Sequence, residues 1–418
     1  MKRPPGTIYR TLGRWLTDLT LPAAAATAAA VGAGVFLFDT VVRATLDAVR
    51  SGPWWLGVIA PAAAIAIANL VMRASGDRHN RSTADEYLRA FHDPSRSLSG
   101  RSVVARLGAA TASLGLGAPL GLEGPSVLIG VASARSLFDS LRPRWARRID
   151  PEALLVAGAA AAVAAIFKAP ATGAIFALEV PFRRDLARHQ LMPALTGAAF
   201  GYLTFVVGDG SDPLFPVAGT PPFDFRDLLG AVVLGIVCGG LARGIAVSIR
   251  AAKHISSRTK VPATIGVAVG LAGAAWASLA IAGEPVGIGP GYRLIAWADN
   301  PDVALGAIAA LLAIRFVSVL LATSGGAVGG FFVPLVVVGN LVGRVMGAIV
   351  GGPAESLFPV LGITAVLGSG YQVPLAAVMF VAETSGRPGY VVPALLAAVA
   401  ADIAVGSESV TDYQRDRA

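Results

Sequence analysis

Long apolar stretches, separated by short polar and basic segments, dominate the chain. Six of them reach or approach the roughly 18 residues with which a helix spans a bilayer, and they cover residues 21–38, 53–72, 154–167, 228–247, 265–281 and 304–322. Many are rich in alanine and glycine, which allow helices to approach one another closely. The pattern predicts an all-α integral membrane protein with a densely packed helical bundle.

Two later segments are too often interrupted by glycine and proline to be simple spans. Residues 117–125 read GAPLGLEGP, and residues 326–334 read GAVGGFFVP, which aligns with the first without a gap. In lipid, irregular backbone survives only where protein buries it or where it lines a cavity. We therefore expect both nonapeptides inside the molecule, at helix N-termini that point into a shared space.

A second matched pair follows the nonapeptides. APATGAIFALE at 169–179 and VPLAAVMFVAE at 373–383 each place a proline nine positions before a glutamate. Proline favours the first turn of a helix, so both segments predict a helix start. The symmetric placement of Glu179 and Glu383 at the ends of these helices favours a structural role, such as capping and hydrogen bonding.

The duplication divides the chain into four parts. We expect a cytoplasmic segment at 1–18, a first repeat at 19–207, a connecting loop at 208–227 and a second repeat at 228–418. The loop is rich in proline, glycine and aspartate, which mark exposed turns. Broken apolar segments at matching places in two halves are typical of transporter ion sites.

Composition narrows the class of protein further. Hydrophobic residues make up 55% of the chain and charged residues 14%, against about 25% charged residues in soluble domains. The net charge of +8 comes from basic clusters between the spans, which tend to face the cytoplasm and to contact anionic lipid. These clusters lack the aromatic platforms of nucleic-acid binders, so we expect no nucleic acid among the partners.

The broken segments carry a chemistry suited to anions. A helix N-terminus offers free backbone N–H groups and a partial positive charge, and Gly121, Gly124 and Gly330 let the backbone approach an ion closely. Glu123 is the ionisable residue among them, and at membrane depth such a residue is a functional candidate. Ionised, its carboxylate can take the anion's own place, and protonation releases it. The alternative for Glu123 is a capping carboxylate at a helix N-terminus.

A shorter signal precedes the first nonapeptide. Thr83, Ala84, Asp85 and Glu86 have the spacing of a capping box. They predict a helix that starts at Ser82–Thr83 and runs to about Phe91.

Several of these motifs resemble those of one family. GLEGP at 121–125, GGFFVP at 329–334 and FKAPATGAIFALE at 167–179 are similar to the CLC chloride channels and proton-coupled anion antiporters, as are GPGYRLIA at 289–296 and SVTDYQ at 409–414. The resemblance covers the membrane domain, without CBS domains. It implies a CLC-type bundle of many tilted and broken helices in two inverted-topology repeats. It also implies a homodimer with one pore per subunit, in the inner membrane of a bacterial cell.

The resemblance assigns roles to individual residues. Glu123 matches the gating glutamate, and the amides of Phe331 and Phe332 match those that hold the central anion. Ser82 matches the serine that contacts the anion, although the glycine and proline of the family motif are absent and Ser75 is a second candidate. Either Thr411 or Tyr413 stands at the place of the pore-lining tyrosine.

Two departures from the family bear on the mechanism. Leu122 replaces the basic residue that usually precedes the gating glutamate. Val180 replaces the internal glutamate that passes protons in chloride antiporters, which favours channel members, although fluoride/proton antiporters also lack that glutamate. The sequence therefore predicts transport of a small inorganic anion, chloride first, gated by Glu123 and channel-like or weakly proton-coupled. The alternative is a proton-coupled antiporter of chloride, nitrate or fluoride.

Other classes fit less well. An intramembrane enzyme would need a serine–histidine pair, an aspartate pair or an HExxH motif within spans, and a cation transporter would need several carboxylates there. With one cysteine and four scattered histidines, the chain has no metal-ligand spacing. We expect no enzymatic activity and no cofactor or metal, with chloride or another halide bound only as the substrate.

Overall fold

The computed structural model of the protein describes residues 19–76, 81, 83–96, 98–215, 223–258, 261–351 and 357–416. These residues form seventeen α-helices, and among them only isolated bridges, not strands, pair in the β manner. Eight helices are long and apolar enough to cross a membrane. The prediction of an all-α membrane bundle is confirmed.

The first half contains nine helices, in the order α1 (Thr20–Ser51), α2 (Trp54–Ala74), α3 (Asp85–His92), α4 (Gly100–Gly115), α5 (Glu123–Ser140), α6 (Pro143–Ala146), α7 (Pro151–Phe167), α8 (Pro170–Glu179) and α9 (Leu191–Asp209). The second half contains eight, in the order α10 (Phe225–Arg258), α11 (Val261–Ala282), α12 (Tyr292–Ala298), α13 (Leu305–Gly325), α14 (Phe332–Val350), α15 (Leu357–Tyr371), α16 (Pro374–Ser385) and α17 (Val391–Val405). Helices α9 and α10 extend a few residues into both ends of the predicted loop at 208–227.

Helices α7 and α15 lie at the centre of the two halves. Each is apolar all round and is buried along almost its whole length, as expected of a helix enclosed by other helices. The predicted span at 154–167 is this short central helix α7, while the other five predicted spans lie in longer helices that are long and apolar enough to cross a membrane.

Glycine pairs set the packing around both central helices. A Cβ on Gly130 of α5 would lie closer than 3.0 Å to the carbonyl oxygen of Gly158 in α7, and one on Gly339 of α14 equally close to that of Gly362 in α15. The four glycines occupy equivalent positions in the two repeats. The duplication therefore extends to the contact between helices.

The connections after the central helices are also duplicated. Lys168 and Gln372 both adopt the left-handed conformation, with φ of 52° and 55°, which is uncommon for residues other than glycine. Pro170 and Pro374 then open α8 and α16 in the first turn, as predicted.

The predicted capping box at 83–86 is wrong. Helix α3 begins at Asp85 with Ala84 as its N-cap, and no side chain caps it. The carboxylate of Glu86 instead accepts hydrogen bonds from Arg96 and Arg106, at 2.7 and 2.8 Å. Two buried charge-assisted bonds from outside the helix thus take the side chain away from its local partner.

Candidate functional site

The two nonapeptides meet at equivalent residues. The N–H of Gly121 donates to the carbonyl of Gly330 at 2.9 Å, and the N–H of Gly330 donates to that of Gly121 at 2.8 Å, in an antiparallel bridge. A pseudo-two-fold axis therefore passes between these two residues. Both nonapeptides are buried or half-buried, and helices α5 and α14 begin within them. Their predicted position, at helix N-termini inside the molecule, is confirmed.

Glu123 reaches across this axis. It is the first residue of α5 and is 3% exposed. Its Oε1 accepts a hydrogen bond from the backbone N–H of Phe332, the first residue of α14, at 2.5 Å. Its Oε2 has no hydrogen-bond partner among the described residues. The carboxylate thus lies on one of the two amides that the family resemblance assigns to the central anion.

The three predicted glycines make room for side chains at this point. A Cβ on Gly121 or Gly330 would lie closer than 3.0 Å to the carboxylate of Glu123, and one on Gly124 would lie equally close to the hydroxyl of Thr83. Gly121, Gly124 and Gly330 thus lie directly beside the side chains of Glu123 or Thr83. The space that they leave is taken by the Glu123 carboxylate and the Thr83 hydroxyl.

A cavity of about 150 Å³ adjoins the second nonapeptide. Gly330 and Phe331 form part of its wall, and Phe331 separates it from the amide of Phe332 that Glu123 occupies. The rest of the wall carries hydroxyl groups and charged side chains of both signs, from Arg81, Thr83, Asp85, Arg89, Lys253, Tyr371, Thr411 and Asp412. The two successive residues therefore have different neighbours. Phe331 lines the cavity, and the amide of Phe332 binds the carboxylate of Glu123.

The structure separates the two candidates for the pore-lining tyrosine position. Thr411 is 3% exposed and lines the cavity, where its hydroxyl shares a hydrogen bond with the hydroxyl of Ser409 at 3.1 Å. Tyr413 lies in a neighbouring cleft of about 450 Å³. There the guanidinium carbon of Arg89 stands 4.2 Å from the centre of its ring. Thr411 is therefore the candidate that reaches the site.

The predicted serine cannot be placed in the same way. Ser82 lies outside the described residues. The second candidate, Ser75, ends α2 and donates its hydroxyl to the carbonyl of Met72 at 2.9 Å. Next to Ser82 in sequence, Thr83 has a buried hydroxyl without a hydrogen-bond partner among the described residues, and it lines the cavity. The spacing of Thr83 indicates only a capping box, not a place in the cavity.

Val180 and Asp85 are both buried. Val180 is 1% exposed at the end of α8, and its aliphatic side chain offers no proton acceptor. Asp85 is 3% exposed, lines the cavity and lies 3.2 Å from the ammonium group of Lys253. The spacing of Asp85 indicates only a capping box, and a local pattern does not reveal that the fold brings this carboxylate to the cavity.

The glutamates of the second matched pair cap helices of the opposite repeat. Glu179 accepts hydrogen bonds from the N–H groups of Leu375 and Ala376 in the first turn of α16, at 3.2 and 2.9 Å. Glu383 accepts them from Ala171 and Thr172 in the first turn of α8, at 2.8 and 2.7 Å. A carboxylate is well placed at a helix N-terminus, and the predicted structural role of both residues is confirmed.

Comparison with known proteins identifies the family of the chain. A sequence model of the family described as "Voltage gated chloride channel" matches residues 63–406. The H(+)/Cl(-) exchange transporter ClcA of Salmonella paratyphi A is 28% identical over 302 residues, which cover 70% of this chain and 63% of that protein. A ClcB-like chloride channel protein of Ralstonia nicotianae is 27% identical over 376 residues, or 86% of each chain. The match thus spans less than two thirds of the ClcA relatives.

Solved structures share the fold. A slow cyanobacterial Cl⁻/H⁺ antiporter superposes with a TM-score of 0.80 at 18% identity, over 92% of this chain and 93% of that one. A CLC-type fluoride/proton antiporter does so with a TM-score of 0.80 at 21% identity, over 94% and 97%. The helical bundle described above, with its two inverted repeats, is the architecture of these proteins.

Proposed function

The chain belongs to the voltage-gated chloride channel family, and on that premise we propose that it carries chloride across the inner membrane of a bacterial cell. Each subunit of a homodimer has its own pore. The contact between the carboxylate of Glu123 and the N–H of Phe332 is the observation that carries this proposal. It places an acidic side chain on an amide suited to a small anion, at a helix N-terminus.

Competition for this amide is the gate. Ionised Glu123 makes a charge-assisted hydrogen bond to Phe332, and chloride cannot occupy the same N–H group. A protonated carboxyl loses most of that attraction, so the side chain leaves and the amide becomes free for the anion. The cavity on the other side of Phe331 supplies the anion, and the basic segments that contribute Arg81, Arg89 and Lys253 to its wall put it on the cytoplasmic side by the positive-inside rule.

Anion movement is channel-like or weakly coupled to protons. Glu123 can exchange a proton with one side of the membrane, but the position of the family's internal glutamate is the aliphatic Val180. A strict exchange mechanism needs a proton acceptor that connects Glu123 with the cytoplasm. Val180 does not provide one.

The second candidate function is proton-coupled antiport, and Asp85 favours it. This buried carboxylate lines the same cavity as Phe331, so it could receive protons in place of the missing glutamate. Relatives named as H(+)/Cl(-) exchange transporters also support this alternative.

Purified protein in liposomes distinguishes the two functions. Under an imposed chloride gradient, we expect chloride flux without uphill proton movement. Stoichiometric proton movement that disappears in Asp85→Asn would establish the antiporter instead. Asp412→Asn is the matched control, because Asp412 also faces Lys253, at 3.6 Å, but is more exposed. Absence of flux of chloride, nitrate and fluoride alike would contradict both.

A further inference from the structure

A buried tyrosine of the second repeat lies at the anion amides. Tyr371 is the last residue of α15 and is 2% exposed. Its hydroxyl oxygen accepts a long hydrogen bond from the N–H of Phe331, at 3.4 Å, and lines the cavity. Of the two amides assigned to the central anion, one is thus held by Glu123 and the other by Tyr371.

Tyr371 has an equivalent in the first repeat, and the two differ by one hydroxyl group. The equivalent residue is Phe167, the last residue of α7. Phe167 stacks on the ring of Phe332 with 4.3 Å between centroids, and Tyr371 packs on the same ring at 6.1 Å. Phe167 therefore contributes only packing, whereas Tyr371 also brings a hydroxyl group to the cavity.

The surrounding structure holds the phenol in place. The ring of Tyr371 meets that of Phe176 edge to face at 6.0 Å. Its carbonyl accepts a hydrogen bond from the side chain of Gln414 at 2.8 Å, and the carbonyl of Gly370 accepts one from the N–H of Val410 at 2.9 Å. The C-terminal segment is thus attached to the end of α15, and this delivers Thr411 and Tyr371 to one cavity.

Of these two residues, Tyr371 is better placed to donate to an anion. The hydroxyl of Thr411 shares its hydrogen bond with Ser409. The phenolic oxygen of Tyr371 accepts from Phe331, and this leaves its own proton for another acceptor. A halide at the Phe331 amide would receive two donors, the N–H group and the phenol.

We propose that Tyr371 is the phenolic donor of the anion site and a specificity-determining residue, in place of the tyrosine that is absent at Thr411. The inference rests on the proposed function. A small, strongly hydrated anion such as chloride needs donors that replace its water, while a weakly hydrated anion such as thiocyanate needs them less. The phenol therefore favours chloride.

The test compares three variants that each change one side chain in the folded, reconstituted protein. Tyr371→Phe removes only the hydroxyl group. Thr411→Val removes the competing hydroxyl at nearly constant volume. Tyr390→Phe is the matched control, because Tyr390 is also 2% exposed and its hydroxyl has no partner among the described residues. Chloride binding is measured by calorimetry, and chloride and thiocyanate fluxes are measured in liposomes.

We expect Tyr371→Phe to weaken chloride binding by about 10- to 100-fold, since a hydrogen bond to a charged group contributes roughly 1.5–3 kcal/mol. The chloride-to-thiocyanate flux ratio should fall with it. Tyr390→Phe should keep the affinity and the ratio of the unmodified protein, and Thr411→Val should change both less than Tyr371→Phe does. Tyr371→His, which retains a ring N–H donor, should bind chloride better than Tyr371→Phe.

Three results would overturn the inference. The first is unchanged chloride binding in Tyr371→Phe, and the second is a greater loss in Thr411→Val than in Tyr371→Phe. The third is equal binding by Tyr371→His and Tyr371→Phe, since a donor at this position would then not matter for the anion. Failure of the proposed function looks different, because the unmodified protein would then carry no anion at all.

Discussion

The carboxylate of Glu123 accepts a hydrogen bond from the backbone N–H of Phe332, the residue at the equivalent position of the other repeat. Gly121 and Gly330 are equivalent as well, and they pair with each other on the same axis. The scaffold of helix N-termini is thus symmetric, while the side chains on it are not. Glu123 is a titratable residue where the other repeat has Phe332, and under the proposed function this asymmetry makes the gate.

Gly121→Ala should displace the gate. The three atoms nearest to the new Cβ would all belong to the Glu123 carboxylate, and the far end of a flexible side chain can move away. We expect chloride flux at neutral pH to rise and its pH dependence to weaken, as in Glu123→Ala. Chloride flux in liposomes, measured at several pH values, tests both expectations.

The double variant of Gly121→Ala and Glu123→Ala is the control. In a Glu123→Ala background, Gly121→Ala should add no further change, because the colliding group is gone. An equal effect of Gly121→Ala in both backgrounds would mean that the glycine acts on the backbone and not through Glu123.

Glu179→Gln and Glu383→Gln should each lower thermal stability. Both carboxylates accept two backbone N–H groups of the opposite repeat, and charge-assisted bonds of this kind contribute about 1–3 kcal/mol. Unfolding in detergent, followed by circular dichroism, measures the loss. Changed anion selectivity with unchanged stability would instead assign these residues to transport.

These capping contacts show how much the sequence predicts. The duplicated proline–glutamate spacing indicates two equivalent helices and structural glutamates, and the nonapeptides indicate buried helix N-termini. The sequence does not show which helix each glutamate caps. A repeat reveals which positions are equivalent, but it does not reveal where the axis that relates them lies. The direct contacts of Gly121 with Gly330 and of Glu123 with Phe332 follow only from that axis.

Gly339→Ala should destabilise the protein by about 1–3 kcal/mol, the usual range for overpacking. The new methyl group would meet the backbone of Gly362, which cannot move without shifting α15. Gly240→Ala in α10 is the control, because nothing lies within 4 Å of its added Cβ. It should stabilise by about 0.5–1 kcal/mol, since alanine is the better helix former. Equal unfolding temperatures of the two variants would refute the close-packing argument.

Glu86→Gln should lower stability at neutral pH and have less effect in acid. Burial by itself would raise the pKa of Glu86, but the hydrogen bonds from Arg96 and Arg106 outweigh it and hold the pKa below its ordinary 4.5. Because the folded pKa is depressed, the stability that the carboxylate contributes is present above the ordinary pKa and is lost as pH falls through the folded value. Helix α3, which carries Glu86, is not among the eight spans.

Chemical denaturation of the unmodified protein and of Glu86→Gln across pH measures the difference between their free energies of unfolding. At neutral pH it should be about 3 kcal/mol, since removing one partner leaves a buried charge uncompensated. It should shrink steadily below the ordinary glutamate pKa. A difference that is constant with pH would show that the ion pair is not its cause.

Thr83, Asp85 and Tyr371 mark the limit of sequence reasoning at the site. Thr83 and Asp85 fit a capping box by spacing, but Glu86 binds Arg96 and Arg106, and long-range partners of this kind are invisible in a local pattern. Tyr371 ends an apolar helix and reads as a core aromatic residue. Only the comparison of Tyr371 with its equivalent Phe167 shows that the hydroxyl group is present in one repeat and absent from the other.

Chloride flux against pH, for the unmodified protein and for Glu123→Gln, tests the gate most directly. Glutamine has the shape of the protonated side chain and cannot ionise. We expect the flux of the unmodified protein to rise as pH falls, while the flux of Glu123→Gln is high and nearly independent of pH. Flux of Glu123→Gln that remained as sensitive to pH as that of the unmodified protein would contradict this expectation.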